Sequence, residues 1–446
     1  MSDTVFALAT APGRAAVAVI RMSGPAARSA LETLAGGEVR PRRASVRRLT
    51  GPAGETIDQA VVLLFPGPRS YTGEDCAELQ LHSSAAVIDQ CTEVLLGMGL
   101  RLAEPGEFTR RAFENGRLDL DQAEAVADLV EAETAAQARQ AIGQLEGRLG
   151  ARYRNWRERL VEALARLEAA VDFPDEEVPT DVAASAREAL EALLADIDLA
   201  LADTGRGQRV RAGYRVAVAG PPNAGKSSLI NALARRDVAI VTATPGTTRD
   251  IIETPLELDG FKVLLADTAG LRETCEPVEV EGVRRARAWA ESADLRLWVV
   301  DRSASGSSWA EASAGARPGD LVVLNKADLP EGPDGAAAAQ AAAGAERETL
   351  TVSVRAGGAE AVRQWLTIRV RRDLAGAEFP AATHERHAAS LADAQAHLAR
   401  ALEGLGEPEL AAEDVRLAGR ALGRISGRIG AEDVLEKVFA TFCIGK

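Results

Sequence analysis

At Tyr214–Ser228 the sequence YRVAVAGPPNAGKSS runs an apolar segment straight into a glycine-bounded loop and then a polar start of a helix. Few patterns constrain a fold so tightly. Gly220, Gly225, Lys226 and Ser227 stand at the spacing G-x-x-x-x-G-K-[ST]. Glycines at those places let backbone N–H groups close around phosphate oxygens. Lys226 brings a point charge to the β/γ-phosphates, and the Ser227 hydroxyl suits Mg²⁺. Val216 and Val218 read as a buried strand before the loop, and SLINALA as the helix after it. Such a unit belongs in a mostly parallel sheet with helices on both faces and ligand at the carboxyl ends of the strands.

Later segments choose the base. LVVLNKAD ends another apolar strand at Asn325, Lys326, Ala327 and Asp328. A fixed carboxylate accepts both the N1–H and N2–H donors of guanine, which adenine lacks. A buried Asp left unpaired against adenine can discriminate by roughly 10⁴–10⁵. Asp328 is therefore assigned to the guanine edge, and the Lys326 stem to the face of the base. TLTVSVRAGG puts Ser353, Val354 and Arg355 at the end of a last strand, where a loop N–H can meet guanine O6.

Between these motifs, FKVLLADTAG ends a strand with Asp267, Thr268, Ala269 and Gly270. An Asp here holds Mg²⁺ through water, and the Gly270 N–H senses the γ-phosphate. VTATPGTTRD supplies Thr242, Ala243, Thr244, Pro245, Gly246, Thr247 and Thr248. Thr248, beside Arg249, is the switch threonine that completes Mg²⁺ coordination only with a triphosphate bound. The phosphate loop itself contributes Asn223, Ala224, Gly225, Lys226, Ser227 and Ser228. Four motifs in this order imply a GTP-binding domain of the Ras-like class.

Leu271 follows Gly270 where Ras-like enzymes that orient water with a glutamine carry it. A leucine neither positions water nor stabilises charge, so hydrolytic help must come from elsewhere. Glu279, in the polar stretch RETCEPVEVEGV, and a bound cation are the candidates. On chemistry alone Glu279 also reads as one of several carboxylates in a solvated loop.

At 446 residues, 46% hydrophobic and 26% charged, the chain has the composition of a soluble protein of two to four domains. No apolar run approaches the roughly 20 residues that span a bilayer, and no signal peptide opens the chain, so a cytoplasmic location is expected. Cys76, Cys91, Cys275 and Cys443 are scattered without a C-x-x-C pair, which argues against a disulfide framework or zinc cluster. Cys443 reads either as a reactive thiol or as a small packing residue. A net charge of −14 argues against broad nucleic-acid binding. RNA recognition would then rest on local basic patches or on a partner. VRPRRASVRR (residues 39–48) is the densest cationic stretch, read first as a solvated arginine-rich strand or loop. No aromatic interleaving suited to base stacking is present.

Residues 1–118 carry short β-rich runs (VAVIRMSG, AVVLLF, AELQLH) broken by Gly and Pro, an α+β pattern. From Leu120 a helical pattern takes over. Ile142, Leu145, Leu149, Tyr153, Trp156, Leu160, Leu164, Leu167 and Val171 form one stripe of a long amphipathic helix that should stop near Phe173-Pro174. A second helical stretch, Val182–Ala202, leads to TGRGQRVRAG, read as a hinge. The Ala-rich run Gly332–Glu346 reads as a helix, and helix-forming sequence resumes after Arg372. The expected division is 1–118, then 119–212 and 373–446 as the two parts of a discontinuous helical domain. Residues 213–372 are the GTP-binding domain inserted between them.

GPPNAGKSS, TPGTTRD, DTAGLRE, NKAD and the terminal CIGK together closely resemble the tRNA modification GTPases called MnmE or TrmE. FALATAPGRAAVAVIRMSGP, SYTGEDCAELQLH, PGEFTRRAFENGRLDLDQAEAVADLVEAET and DFPDEE extend the resemblance over essentially the whole chain. It implies a K⁺-stimulated GTPase in which Asn223, Thr242, Thr244 and Thr247 bind K⁺, Ser227 and Thr248 bind Mg²⁺, and Glu279 orients water. A cation between the phosphates can do the work of an arginine finger, worth about 10³–10⁵ in rate. The resemblance also implies a homodimer whose GTP-binding domains pair across the nucleotide, and a first domain with a tetrahydrofolate-binding fold. Arg21, Glu78, Arg117 and Lys446 match the family's folate contacts. With an FAD-dependent partner called MnmG or GidA, such a protein modifies C5 of the wobble uridine (position 34) of certain tRNAs. The product is an aminomethyl or carboxymethylaminomethyl derivative, built with a folate one-carbon unit.

Some positions depart from the family pattern. Gly13-Arg14-Ala15-Ala16 and His82-Ser83-Ser84 stand where GRGG and HGG are usual, which removes glycine freedom. Ser353-Val354 replaces Ser-Ala, and Arg117 stands where lysine is frequent. Two other readings share these motifs: a regulatory or ribosome-assembly GTPase, and a folate-binding carrier with a GTP-driven switch. The first would be expected to carry an RNA module such as a KH domain, for which no G-x-x-G loop is convincing.

Overall fold

The computed structural model describes residues 3–172, 180–234, 253–267, 289, 291–304, 316–332, 347–376, 379–427, 438–439, 442 and 445. The chain forms two compact units, residues 1–130, 143–197 and 389–446 in one, and 131–142 with 198–388 in the other. Among the described residues no helix is long and apolar enough to cross a membrane.

The first unit opens with strands β1 (Val5–Leu8), β2 (Ala15–Ser23), β3 (Ser45–Thr50), β4 (Thr56–Phe65), β5 (Cys76–Ser83) and β6 (Arg101–Leu102). They lie in the order β3-β4-β5-β2-β1-β6, antiparallel except for the parallel β1–β6 pair. Period-two alternation sorts the faces. Ile20, Met22, Val62, Leu79 and Leu81 point to helices α1 (Ala27–Leu34) and α2 (Ala85–Gly97), where Leu31, Leu34 and Leu95 close the core. Each such side chain contributes about 1.5–3 kcal/mol by leaving water. Val5 and Ala7 take the other face and pack with Ala103 and with Phe108 of α3 (Glu107–Glu114).

Charge pins α3 in place. Arg111, buried, donates to Glu107 Oε1 at 2.8 Å, to Glu74 Oε2 at 3.0 Å and to the Asp3 carbonyl at 2.9 Å. Arg101 donates to the same Glu107 oxygen at 2.7 Å. Burial alone would raise the Glu107 carboxyl, but Arg101, the Glu104 N–H and Arg111 outweigh it and hold it below the usual value.

Helices α4 (Leu120–Glu131), α5 (Ala135–Leu145), α6 (Arg148–Asp172) and α7 (Thr180–Ala202) follow. The stripe read as a single helix from Ile142 onward is broken here. Gly147, at φ +83°, lies between α5 and α6 in the left-handed region that ends helices. Ile142 is 44% exposed and stands off the stripe, whereas Leu149, Tyr153, Trp156, Leu160 and Leu167 are buried. α6 ends at Asp172, directly before Phe173-Pro174, where the sequence signals a stop.

TGRGQRVRAG also departs from expectation. It forms the helix α8 (Thr204–Ala212), and Gly207 within it is buried so closely that a Cβ would meet the Ala382 carbonyl at 2.2 Å. This is a packed helix and not a hinge.

The second unit holds β7 (Tyr214–Ala219), β8 (Glu253–Leu258), β9 (Phe261–Asp267), β10 (Leu295–Asp301), β11 (Leu321–Asn325) and β12 (Glu348–Thr351). Their order is β12-β11-β10-β7-β9-β8, parallel except for the β8–β9 hairpin. The continuous apolar runs of β7, β10 and β11 suit a sheet covered on both faces. Helices α9 (Lys226–Ala234) and α10 (Ala359–Leu374) bring Leu229, Leu233, Val362 and Leu366 to its core. All of the Ala-rich run but Gly332 lies outside the described residues.

Helices α11 (Glu385–Glu403) and α12 (Pro408–Ile425) follow, α12 packing along α6. Beyond them, described fragments return to the first sheet. A Cβ on Gly106 would meet the Phe439 carbonyl at 2.8 Å, and one on Gly445 would meet the Leu8 carbonyl at 2.4 Å.

Candidate functional site

The phosphate-loop sequence lies between β7 and α9, at the carboxyl end of a central parallel strand. Its glycines are dictated by close approach. A Cβ at Gly220 (φ +133°) would meet the Val299 carbonyl at 2.0 Å, and one at Gly225 (φ +101°) would meet Asn325 Nδ2 at 2.2 Å. Asn223 turns the loop at φ +62°, a left-handed conformation that Asn tolerates, and its side chain is exposed. Lys226 is buried, and its ammonium donates to the Gly220 and Pro221 carbonyls, each at 2.8 Å. Ser227 and Ser228 are exposed at the first turn of α9, whose free N–H groups favour an anion.

Parallel pairing aligns Val218 with Asp267, so the end of β9 stands beside the loop. The Ser227 hydroxyl donates to Asp267 Oδ2 at 2.8 Å. A hydroxyl and a carboxylate side by side are hard oxygen donors of the kind Mg²⁺ takes.

Asn325 is the brace of the site. It is 3% exposed; its Nδ2 donates to the Ala224 carbonyl at 2.8 Å, and its Oδ1 accepts the Val354 N–H at 3.1 Å. One amide thus joins the phosphate loop to the segment after β12. Asp328, expected as a buried carboxylate, is exposed. Its orientation comes from Ser353, whose hydroxyl donates to Asp328 Oδ1 at 2.5 Å and accepts the Ala356 N–H at 3.2 Å. That hydroxyl also holds the Asp328 carboxyl below its ordinary value. Ala327 gives its N–H to the Val352 carbonyl at 3.1 Å, a further tie between the loops. Val354 packs half-buried against the sheet core and Arg355 is exposed, so the extra methyl groups of Val354 point into packing.

Sequence reasoning missed Asp301. It ends β10, and its Oδ2 accepts from Lys326 Nζ at 2.6 Å, while Ser303 donates to its Oδ1 at 2.6 Å. Lys326 has φ +64°, and this pair fixes where its stem lies. An apolar strand ending in a carboxylate, LRLWVVD, was the available signal.

Of the residues matched to folate contacts, Arg21 and Glu78 are cross-strand partners joined at 3.0 Å. The Arg21 guanidinium lies 5.5 Å from the Tyr71 ring centroid and 5.9 Å from that of Phe108. Arg117 is exposed just beyond α3, its Cγ 3.3 Å from where a Cβ of Gly73 would sit. Cys76 and Cys91 are buried free thiols, and burial, with Asp58 nearby, pushes Cys91 up to about 12. Thr242, Ala243, Thr244, Pro245, Gly246, Thr247, Thr248, Thr268, Ala269, Gly270, Leu271, Glu279, Cys275, Cys443 and Lys446 lie outside the described residues.

A mostly parallel sheet with this loop, braced through Asn325 to the strand ends that carry NKAD and Ser353, defines a P-loop protein of the guanine-nucleotide-binding class. Two family descriptions match the chain: "GTP-binding protein TrmE N-terminus" over residues 4–117 and "MnmE helical domain" over residues 120–443. A "tRNA modification GTPase MnmE" of Phenylobacterium zucineum is 60% identical, with 100% of both chains covered. Relatives of the same name from Caulobacter vibrioides and Parvibaculum lavamentivorans are 57% and 49% identical, again over 100% of both chains. The chain belongs to the MnmE family of tRNA modification GTPases.

Proposed function

We propose that this chain hydrolyses GTP with stimulation by K⁺ and, with an FAD-dependent partner of the MnmG/GidA type, modifies C5 of the wobble uridine (position 34) of certain tRNAs. The added group is an aminomethyl or carboxymethylaminomethyl group whose one-carbon unit comes from a tetrahydrofolate derivative. Family membership supports the reaction class. The observation that carries the nucleotide part is the Asn325 brace, which ties the phosphate loop to the segment that would read guanine.

In this reading Lys226 and the loop N–H groups take the phosphates, and Asp328, held by Ser353, takes the guanine edge. Ser227 and Thr248 would hold Mg²⁺, which offsets charge on the phosphate oxygens when bound. Asn223, Thr242, Thr244 and Thr247 would hold K⁺, and Glu279 would align water. Arg21, Glu78, Arg117 and Lys446 would take the folate. Gly445 lies against the Leu8 carbonyl of the first sheet. Arg21 and Glu78 already pair, so a folate would exchange with that ion pair instead of meeting free charges. The division at 118, 212 and 372, a homodimer whose GTP-binding domains pair across the nucleotide, and a cytoplasmic location complete the reading.

Purified chain is expected to turn over GTP faster in K⁺ than in Na⁺ at equal ionic strength; equal rates would remove the cation assignment. A strain lacking the gene should hold hypomodified wobble uridine, restored by the wild-type chain and not by Asp267→Ala. Normal uridine in that strain would overturn the tRNA reading.

A further inference from the structure

Residues 1–118 hold thirteen arginines and thirteen carboxylates, so the net charge of −14 resides entirely in the rest of the chain. Within this balanced stretch the charges are sorted. Arg21, Arg28, Arg101, Arg110 and Arg111 all pair with carboxylates, the loosest of these at 3.7 Å. Of the other eight, Arg14 and Arg117 lie apart and are also unpaired, and the remaining six, Arg40, Arg42, Arg43, Arg47, Arg48 and Arg69, have no carboxylate partner among the described residues.

These six collect along one edge. β3 ends the sheet, and Arg48 stands on it opposite Gln59. The loop before β3 is laid against β4, the Arg42 N–H meeting the Leu64 carbonyl at 2.8 Å. The Arg42 guanidinium donates to the Arg69 carbonyl and lies 5.9 Å from the Phe65 ring, which brings Arg69 to the same place. Arg47 donates to the Glu38 carbonyl at 3.0 Å. Five of the six are exposed, and Arg47 is half-buried. Asp58, beside Gln59 on β4, is turned to the ring and N–H of His82.

Charge on an edge strand shields it from stray pairing. Six guanidinium groups without carboxylate partners repel one another, and an anion among them offsets that repulsion. Each fork matches a phosphate bidentately, and a row of them matches a chain of phosphates. The 39–48 stretch has no aromatic residue to stack a base, so the contact is with backbone and not with sequence. We infer that the edge made by β3 and its preceding loop docks the phosphate backbone of RNA, which under the reading proposed above is the substrate tRNA.

The test uses the full-length chain with Arg40→Gln, Arg43→Gln and Arg48→Gln combined, leaving Arg42 and Arg47, whose side chains bond loop carbonyls. The thermal midpoint and GTP turnover should match wild type. Affinity for tRNA should fall about tenfold or more at moderate salt, and the dependence of log K on log[salt] should become shallower by about 2–3. Unchanged tRNA affinity and slope overturn the inference. So does a loss confined to heparin with tRNA binding intact, which would leave the arginines as edge protection, or a wild-type chain with no direct affinity for tRNA. The modification reading stands or falls separately, on the wobble uridine of the deletion strain.

Discussion

Two residues show how much a single side chain can hold. Asn325 satisfies a carbonyl of one loop and an N–H of another while filling the space that Gly225 leaves open. Asn325→Ala strands both groups, each worth about 1–3 kcal/mol when buried unpaired. Guanine-nucleotide affinity should drop at least about tenfold, read by calorimetry, with a lower denaturant midpoint. Glu107 makes a pH-dependent contribution. Its folded pKa lies below the unfolded value of about 4.3, so its stabilisation is complete above that value. It is lost as pH falls through the folded pKa. Denaturant midpoints measured from pH 7 down to 3 should decline less steeply for Glu107→Gln than for wild type; identical slopes would refute the assignment.

Elements were legible where local chemistry sufficed. The strand before Gly220, the helix after Lys226 and the stop before Pro174 follow from apolar runs, glycine spacing and proline. The stripe misled because a period of 3.6 does not reveal a left-handed glycine. Gly147 interrupts it without changing which later positions are apolar. TGRGQRVRAG misled because Gly and Arg signal a loop only when nothing packs on them, and here the Ala382 carbonyl lies against Gly207. Gly207→Ala should therefore cost about 1–3 kcal/mol by overpacking, in chemical denaturation. A hinge would tolerate it.

For the whole molecule, nucleotide bound as proposed would act as a folding ligand of the second unit. At a concentration of GDP with Mg²⁺ near 100 times its dissociation constant, stability should rise by about 2.7 kcal/mol. The thermal midpoint shift should vanish in Lys226→Ala, whose ammonium otherwise closes the loop. Local order along the chain made the phosphate-loop motif, the strand-end motifs after it and the family legible. Those properties depend on residues a few positions apart and on backbone conformations only certain side chains allow. Folding alone decided that Asn325 meets Ala224, that Asp301 anchors Lys326, and that Gly445 lies on Leu8. It also decided that six arginines of one edge go without a carboxylate partner while Arg101, Arg110 and Arg111 are matched. Such meetings join groups far apart in the chain, and their geometry is the outcome of packing two whole sheets, which no short window of sequence contains.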